Sequence, residues 1–78
     1  MDKRKQPFGR NLHYLIRANG KGLREFAREV DLDYSLLKRY VQGTVQPRTM
    51  RLKQIADALG VSPGSLLFDE LVPEQVEQ

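Results

Sequence analysis

The stretch LREFAREVDLDYSLLKRYVQG, residues 23–43, decides the fold. Leu23, Phe26, Ala27 and Val30 recur at the three- and four-residue spacing of one helix face, with Gly22 placed as N-cap. Leu37, Tyr40 and Val41 make the face of a second helix, opened by Asp33 as N-cap and closed by Gln42-Gly43. Only Asp31-Leu32-Asp33 separates the two. A connection that short makes the helices cross steeply. Ala27 is small where the later helix must come close, and Phe26, Val30, Leu32, Leu37 and Tyr40 fill the space around it.

The same periodicity extends outward on both sides. Phe8, Leu12, Leu15 and Ile16 predict a helix over about residues 8–19, stopped by Asn19-Gly20. Thr44-Val45-Gln46-Pro47 reads as loop, and Leu52, Ile55, Ala56 and Leu59 as a fourth helix ended by Gly60. Ser62-Pro63 supplies a cap and a first-turn proline for a short fifth helix holding Leu66, Leu67 and Phe68. No segment alternates with period two, so no strand is expected. The expected architecture is all-α: a compact five-helix bundle around a central helix-turn-helix. Residues 1–7 read as a basic N-terminal arm, 8–68 as the folded domain, and 69–78 as an acidic tail or linker stub.

Composition narrows the function. A chain of 78 residues is one small domain, against roughly 100–200 residues per typical domain. There is no Cys, which removes disulfides and Cys-based zinc sites, and His13 has no second ligand spaced for it, so it reads as structural or simply exposed. No apolar run approaches the roughly 20 residues of a membrane helix. A Gly-rich phosphate loop, paired His and a Ser-His-acid set are all missing from the sequence, so an enzyme, a cofactor and a small-molecule substrate are not expected. Charge is uneven. Residues 1–53 carry all 13 Lys and Arg against five acids, a net of +8, and residues 54–78 carry five acids and no Lys or Arg. Such a split favours a polyanionic partner for the first part.

The helix at about 34–42 is amphipathic in a useful way. Opposite its apolar face stand Tyr34, Ser35, Lys38, Arg39 and Gln42, rich in hydrogen-bond donors. Arg39 offers a guanidinium fork on that face, either a solvated charge or a donor to a base edge or a phosphate. Leu36 either packs on the core or sets its methyls against a thymine methyl.

Residues 12–68 resemble the lambda-repressor/Cro type of helix-turn-helix domain, also called the XRE type. The resemblance rests on Leu23-Arg24-Glu25-Phe26-Ala27, on Leu36 through Gly43, on Pro47, and on Leu52-Lys53-Gln54-Ile55-Ala56-Asp57-Ala58-Leu59-Gly60-Val61-Ser62, in register and without gaps. It implies a sequence-specific DNA-binding transcriptional regulator, a phage-type repressor holding a palindromic operator in double-stranded DNA as a homodimer. In that arrangement Tyr34, Ser35, Leu36 and Arg39 face base edges. Lys21, Leu23 (through its backbone N–H), Arg24, Lys38, Gln42, Thr44, Gln46 and Arg48 face the phosphate backbone. Leu66, Leu67 and Phe68 exceed what one short helix face buries, and the resemblance implies a dimer interface drawn from them, the alternative being a complete core within one chain. Lys3, Arg4 and Lys5 are either an arm along the duplex or a basic terminus without a role. The implied location is the cytoplasm, on the nucleoid, of a bacterium or of a phage host. Two alternatives differ in partner: an antitoxin-type regulator that also holds a protein, and a helical interaction module that docks on an acidic protein without reading DNA.

Three positions depart from the family pattern. Asp31 stands where a turn glycine is usual, so a left-handed backbone there rests on one of the few other residues that tolerate it. Leu23 replaces a Gln that reaches a phosphate. Val41 replaces a Glu, so apolar packing is expected in place of an ion pair.

Overall fold

A computed structural model describes residues 7–73. Five helices follow one another: α1 (Phe8–Ala18), α2 (Leu23–Glu29), α3 (Tyr34–Gln42), α4 (Thr49–Leu59) and α5 (Pro63–Phe68). Among the described residues there is no strand, and the fold is the expected all-α bundle. The expected first helix is one residue too long: Asn19 caps α1 from outside, its Nδ2 donating to the Leu15 carbonyl at 2.8 Å.

The core follows the apolar stripes. Phe8, Leu12 and Ile16 of α1, Phe26 and Ala27 of α2, Leu37 and Tyr40 of α3, Leu52, Ile55, Ala56 and Leu59 of α4, and Leu66 of α5 are buried together. Val41 and Leu15 are half-buried against this cluster. Helix α1 is the hub, packing on α2, α3 and α5, while α4 leans on α5. The approach of α1 to α3 is tight at Gly9. A Cβ built there would sit 2.5 Å from the Val41 carbonyl oxygen, so only glycine lets the two backbones come so close. Just before it, Phe8 meets Tyr40 edge to face, with ring centroids 6.5 Å apart.

Helix α2 closes in a turn that aims the chain into α3. The Leu32 N–H donates to the Ala27 carbonyl at 2.7 Å and the Asp31 N–H to the Arg28 carbonyl at 3.2 Å, the paired bonds of a Schellman ending. That ending needs a left-handed residue, and Asp31 takes it with φ 57°, whereas the turns after α1, α3 and α4 use Gly20, Gly43 and Gly60. The reversal drops Leu32 into the core and places Asp33 at the α3 N-cap. Asp33 holds that position with extended backbone but makes no side-chain cap bond. Ser62 does cap α5, accepting from the Ser65 N–H at 3.2 Å.

Leu66, expected above at a dimer interface with Leu67 and Phe68, is fully buried and belongs to the core. A six-residue helix turns one of three successive apolar side chains fully inward, and here it is Leu66. A second feature fastens α5. The side chain of Asn11, buried in α1, donates from Nδ2 to the carbonyls of Leu66 (2.9 Å) and Asp69 (2.8 Å), and its Oδ1 accepts from the Leu71 N–H at 3.2 Å. Residues 69 and 71, at the start of the segment read as an acidic tail, are thereby tied to α1. The Lys3, Arg4 and Lys5 arm and residues 74–78 lie outside the described residues.

Candidate nucleic-acid interface

With Leu37 and Tyr40 locked in the core, the opposite face of α3 points to solvent. Ser35, Lys38, Arg39 and Gln42 are exposed on it at helical spacing. Among the described residues Arg39 has no ion-pair partner, so its guanidinium is available to a ligand. Leu36 is half-buried and packs against the core, which favours the first of its two expected roles. Leu23, at the first position of α2, is also half-buried against the core.

Tyr34 opens α3 and is half-buried against the core. Its ring lies beneath two cations from different helices. The Arg24 guanidinium carbon, from α2, is 4.2 Å from the ring centroid, and the Lys38 ammonium, one turn along α3, is 5.6 Å from it. The N-terminal turns of both helices are therefore joined by a cation–aromatic–cation cluster. Sequence spacing accounts for the Tyr34–Lys38 neighbourhood, four residues apart on one helix, but not for Arg24.

The remaining candidates divide. Lys21 is engaged with Glu29, Nζ to Oε1 at 2.6 Å, and so spans the ends of α2 rather than standing free. Thr44 closes α3: its N–H and its hydroxyl both donate to the Arg39 carbonyl, at 3.1 and 3.3 Å. Gln46 is exposed in the following loop, and Arg48 is exposed at the N-cap position of α4. On α5, Leu67 is half-buried and Phe68 is 69% exposed. Met50, 78% exposed in the first turn of α4, is an apolar surface residue that the sequence reading passed over. Its offset from the stripe of Leu52, Ile55 and Leu59 is the signal that marks it as outward-facing.

The arrangement supplies a projecting helix, donors at its tip and along its face, and cations to either side. That is the equipment for a duplex groove and its flanking phosphates. Among the described residues, no cluster of three or more His, Cys, Asp or Glu is placed to hold a metal, and no helix is long and apolar enough to cross a membrane. Comparison with curated proteins and with solved structures returned no match. Comparison with protein-family models matched residues 11–71 to the Cro/C1-type helix-turn-helix DNA-binding domain. That span takes in all of α2 to α5, most of α1 and the Asn11–Leu71 tie, and on it the chain belongs to the Cro/C1-type family of helix-turn-helix DNA-binding domains.

Proposed function

We propose that this domain is a sequence-specific transcriptional repressor of the phage type, which holds a palindromic operator as a dimer and acts on the nucleoid. The observation that carries the reading is the outward face of α3, where Ser35, Arg39 and Gln42 stand exposed beside Lys38 while the opposite face is locked in the core. In this reading α3 enters the major groove N-terminal end first, Ser35 and Arg39 read base edges, and Arg39 pairs bidentately with a guanine. Arg24, Lys38, Gln42, Gln46 and Arg48 hold phosphates, joined by the backbone N–H groups at the start of α2. Lys21 and Thr44 contribute by fixing the ends of α2 and α3.

One α3 covers only a few base pairs, which is little information against a genome of competing sites. Two copies set one duplex turn apart, about 34 Å, double it. The exposed Phe68, with the edge of Leu67, is the surface we assign to the two-fold contact. An interface of that size is weak alone, and DNA supplies the effective concentration that completes it.

Selection from random duplexes followed by sequencing tests the reading directly. It is expected to return one palindrome with half-sites a helical turn apart. Arg39→Ala is expected to weaken binding to that site by about 1–3 kcal/mol and to relax preference at one base pair. Recovery of no preferred sequence, with binding insensitive to salt, would instead favour a module that docks on an acidic protein.

A further inference from the structure

We propose that Tyr34 is a positioning residue rather than a base reader: its ring is a shelf that holds Arg24 and Lys38 in place for two phosphates. This rests on the DNA-binding reading and adds to it a role for one side chain. Tyr34 stands at the tip of the helix that reads bases, where a free tyrosine would reach for a base edge. Its ring is instead committed on both counts that matter. It is half-buried against the core, and it lies under two cations, 4.2 Å from the Arg24 guanidinium carbon and 5.6 Å from the Lys38 ammonium.

Arg24 has no acidic partner among the described residues, nor has Lys38, although Lys21 nearby in sequence is paired with Glu29. A cation resting on an aromatic face keeps all its N–H donors and its uncompensated charge, whereas one paired with a carboxylate has its charge offset and one or two donors taken. Long cationic side chains also lose much rotamer freedom on binding, and a ring that already restricts them reduces that loss. Because Arg24 comes from α2 and Lys38 from α3, the shelf sets the spacing between two charges on different helices. Phosphates recur along a strand at fixed intervals, so a fixed spacing of cations is useful whatever the base sequence.

The test is a cycle of variants measured on the selected operator, on its single-base variants and on random duplex. Tyr34→Leu keeps an apolar side chain against the core and removes the π face. It is expected to weaken binding about three- to tenfold on every duplex alike, with the preferred sequence unchanged. The salt slope is expected to hold, since both charges remain, whereas Arg24→Ala flattens it by about one unit. Tyr34→Phe keeps the ring and is expected to bind as the parent does. In an Arg24→Ala, Lys38→Ala background Tyr34→Leu is expected to cost nothing more, because nothing is left on the shelf. A DNA-free readout accompanies these: the Arg24 side-chain NMR resonances, shifted by the ring in the parent and in Tyr34→Phe, return to ordinary positions in Tyr34→Leu. A change of preferred base in Tyr34→Leu, a loss in Tyr34→Phe, or an undiminished cost in the doubly substituted background overturns the proposal and leaves the DNA reading standing. A parent protein that binds no duplex overturns both.

Discussion

Replacing Asn11 with Ala is expected to destabilise the domain by about 3 kcal/mol, although the residue is polar and belongs to α1 rather than to the exposed face of α3. Two carbonyls and one N–H surround its carboxamide, and only one orientation of the amide satisfies all three. The bond to the Leu66 carbonyl is buried, so its loss leaves an acceptor that water cannot reach, at about 1–3 kcal/mol. The bonds involving Asp69 and Leu71 are partly buried, and each contributes about 0.5–1.5 kcal/mol. A chain of 78 residues has a total stability of about 4–12 kcal/mol, so the loss is a large share of it. The melting temperature is expected to fall by roughly 12–24 °C. Urea unfolding followed by far-UV circular dichroism measures the difference directly. Asn11→Asp sharpens the test. Its carboxylate would face two carbonyls, which raises its folded pKa above the unfolded value of about 3.9. The folded state then binds more protons than the unfolded one above that value, so the deficit relative to the parent grows as pH rises and shrinks in acid. A loss under about 1 kcal/mol in Asn11→Ala, or a pH-independent deficit in Asn11→Asp, would refute the three-bond arrangement.

Four further outcomes follow from the structure. Asp31→Gly is expected to raise the melting temperature by a few degrees, since relief of left-handed strain exceeds the added chain entropy, while Asp31→Val loses about 2 kcal/mol; equal melting of the two would exclude the positive φ. Gly9→Ala, which in an open helix would gain about 1 kcal/mol, is expected to lose about 1–3 kcal/mol in urea unfolding because its Cβ meets the Val41 carbonyl. Lys38→Ala and Arg48→Ala are each expected to weaken all duplexes alike and flatten the salt slope by about one unit, and a shift in preferred sequence would contradict a phosphate role. Phe68→Asp is expected to abolish cooperative filling of a two-half-site operator while sparing a single half-site; an unchanged cooperative step places the dimer contact elsewhere.

The helices were legible in the sequence because their stripes are local: Phe8, Leu12 and Ile16, or Leu52, Ile55 and Leu59, encode burial at a fixed period. The turn at Asp31 was legible for the same reason, since a three-residue gap and a missing glycine are both visible in a short window. What escaped depends on elements distant in the chain. Asn11 reads as an interruption of an apolar stripe, and nothing beside it says that its partners lie 55 to 60 residues away. The outward face of α3 could be read off its periodicity, but the Arg24 cation over Tyr34 could not, because it depends on how two helices cross. Among Leu66, Leu67 and Phe68 composition shows an excess of apolar surface, and only the packing of α5 on α1 and α4 decides that Leu66 is the one consumed.

The fastening of α5 to α1 also orders events in time. Synthesis proceeds at roughly 5–20 residues per second, so about 3–12 seconds separate the emergence of Asn11 from that of Leu71, its last partner. Through most of that interval, until Pro63–Phe68 emerge, the side of α1 that receives α5 stays uncovered. A nascent chain halted before α5 thus has an unfinished core, a species open to chaperones and proteases. Stability would then come from the contacts of α5 and of residues 69 and 71 with α1, after the residues of α3 have already been made.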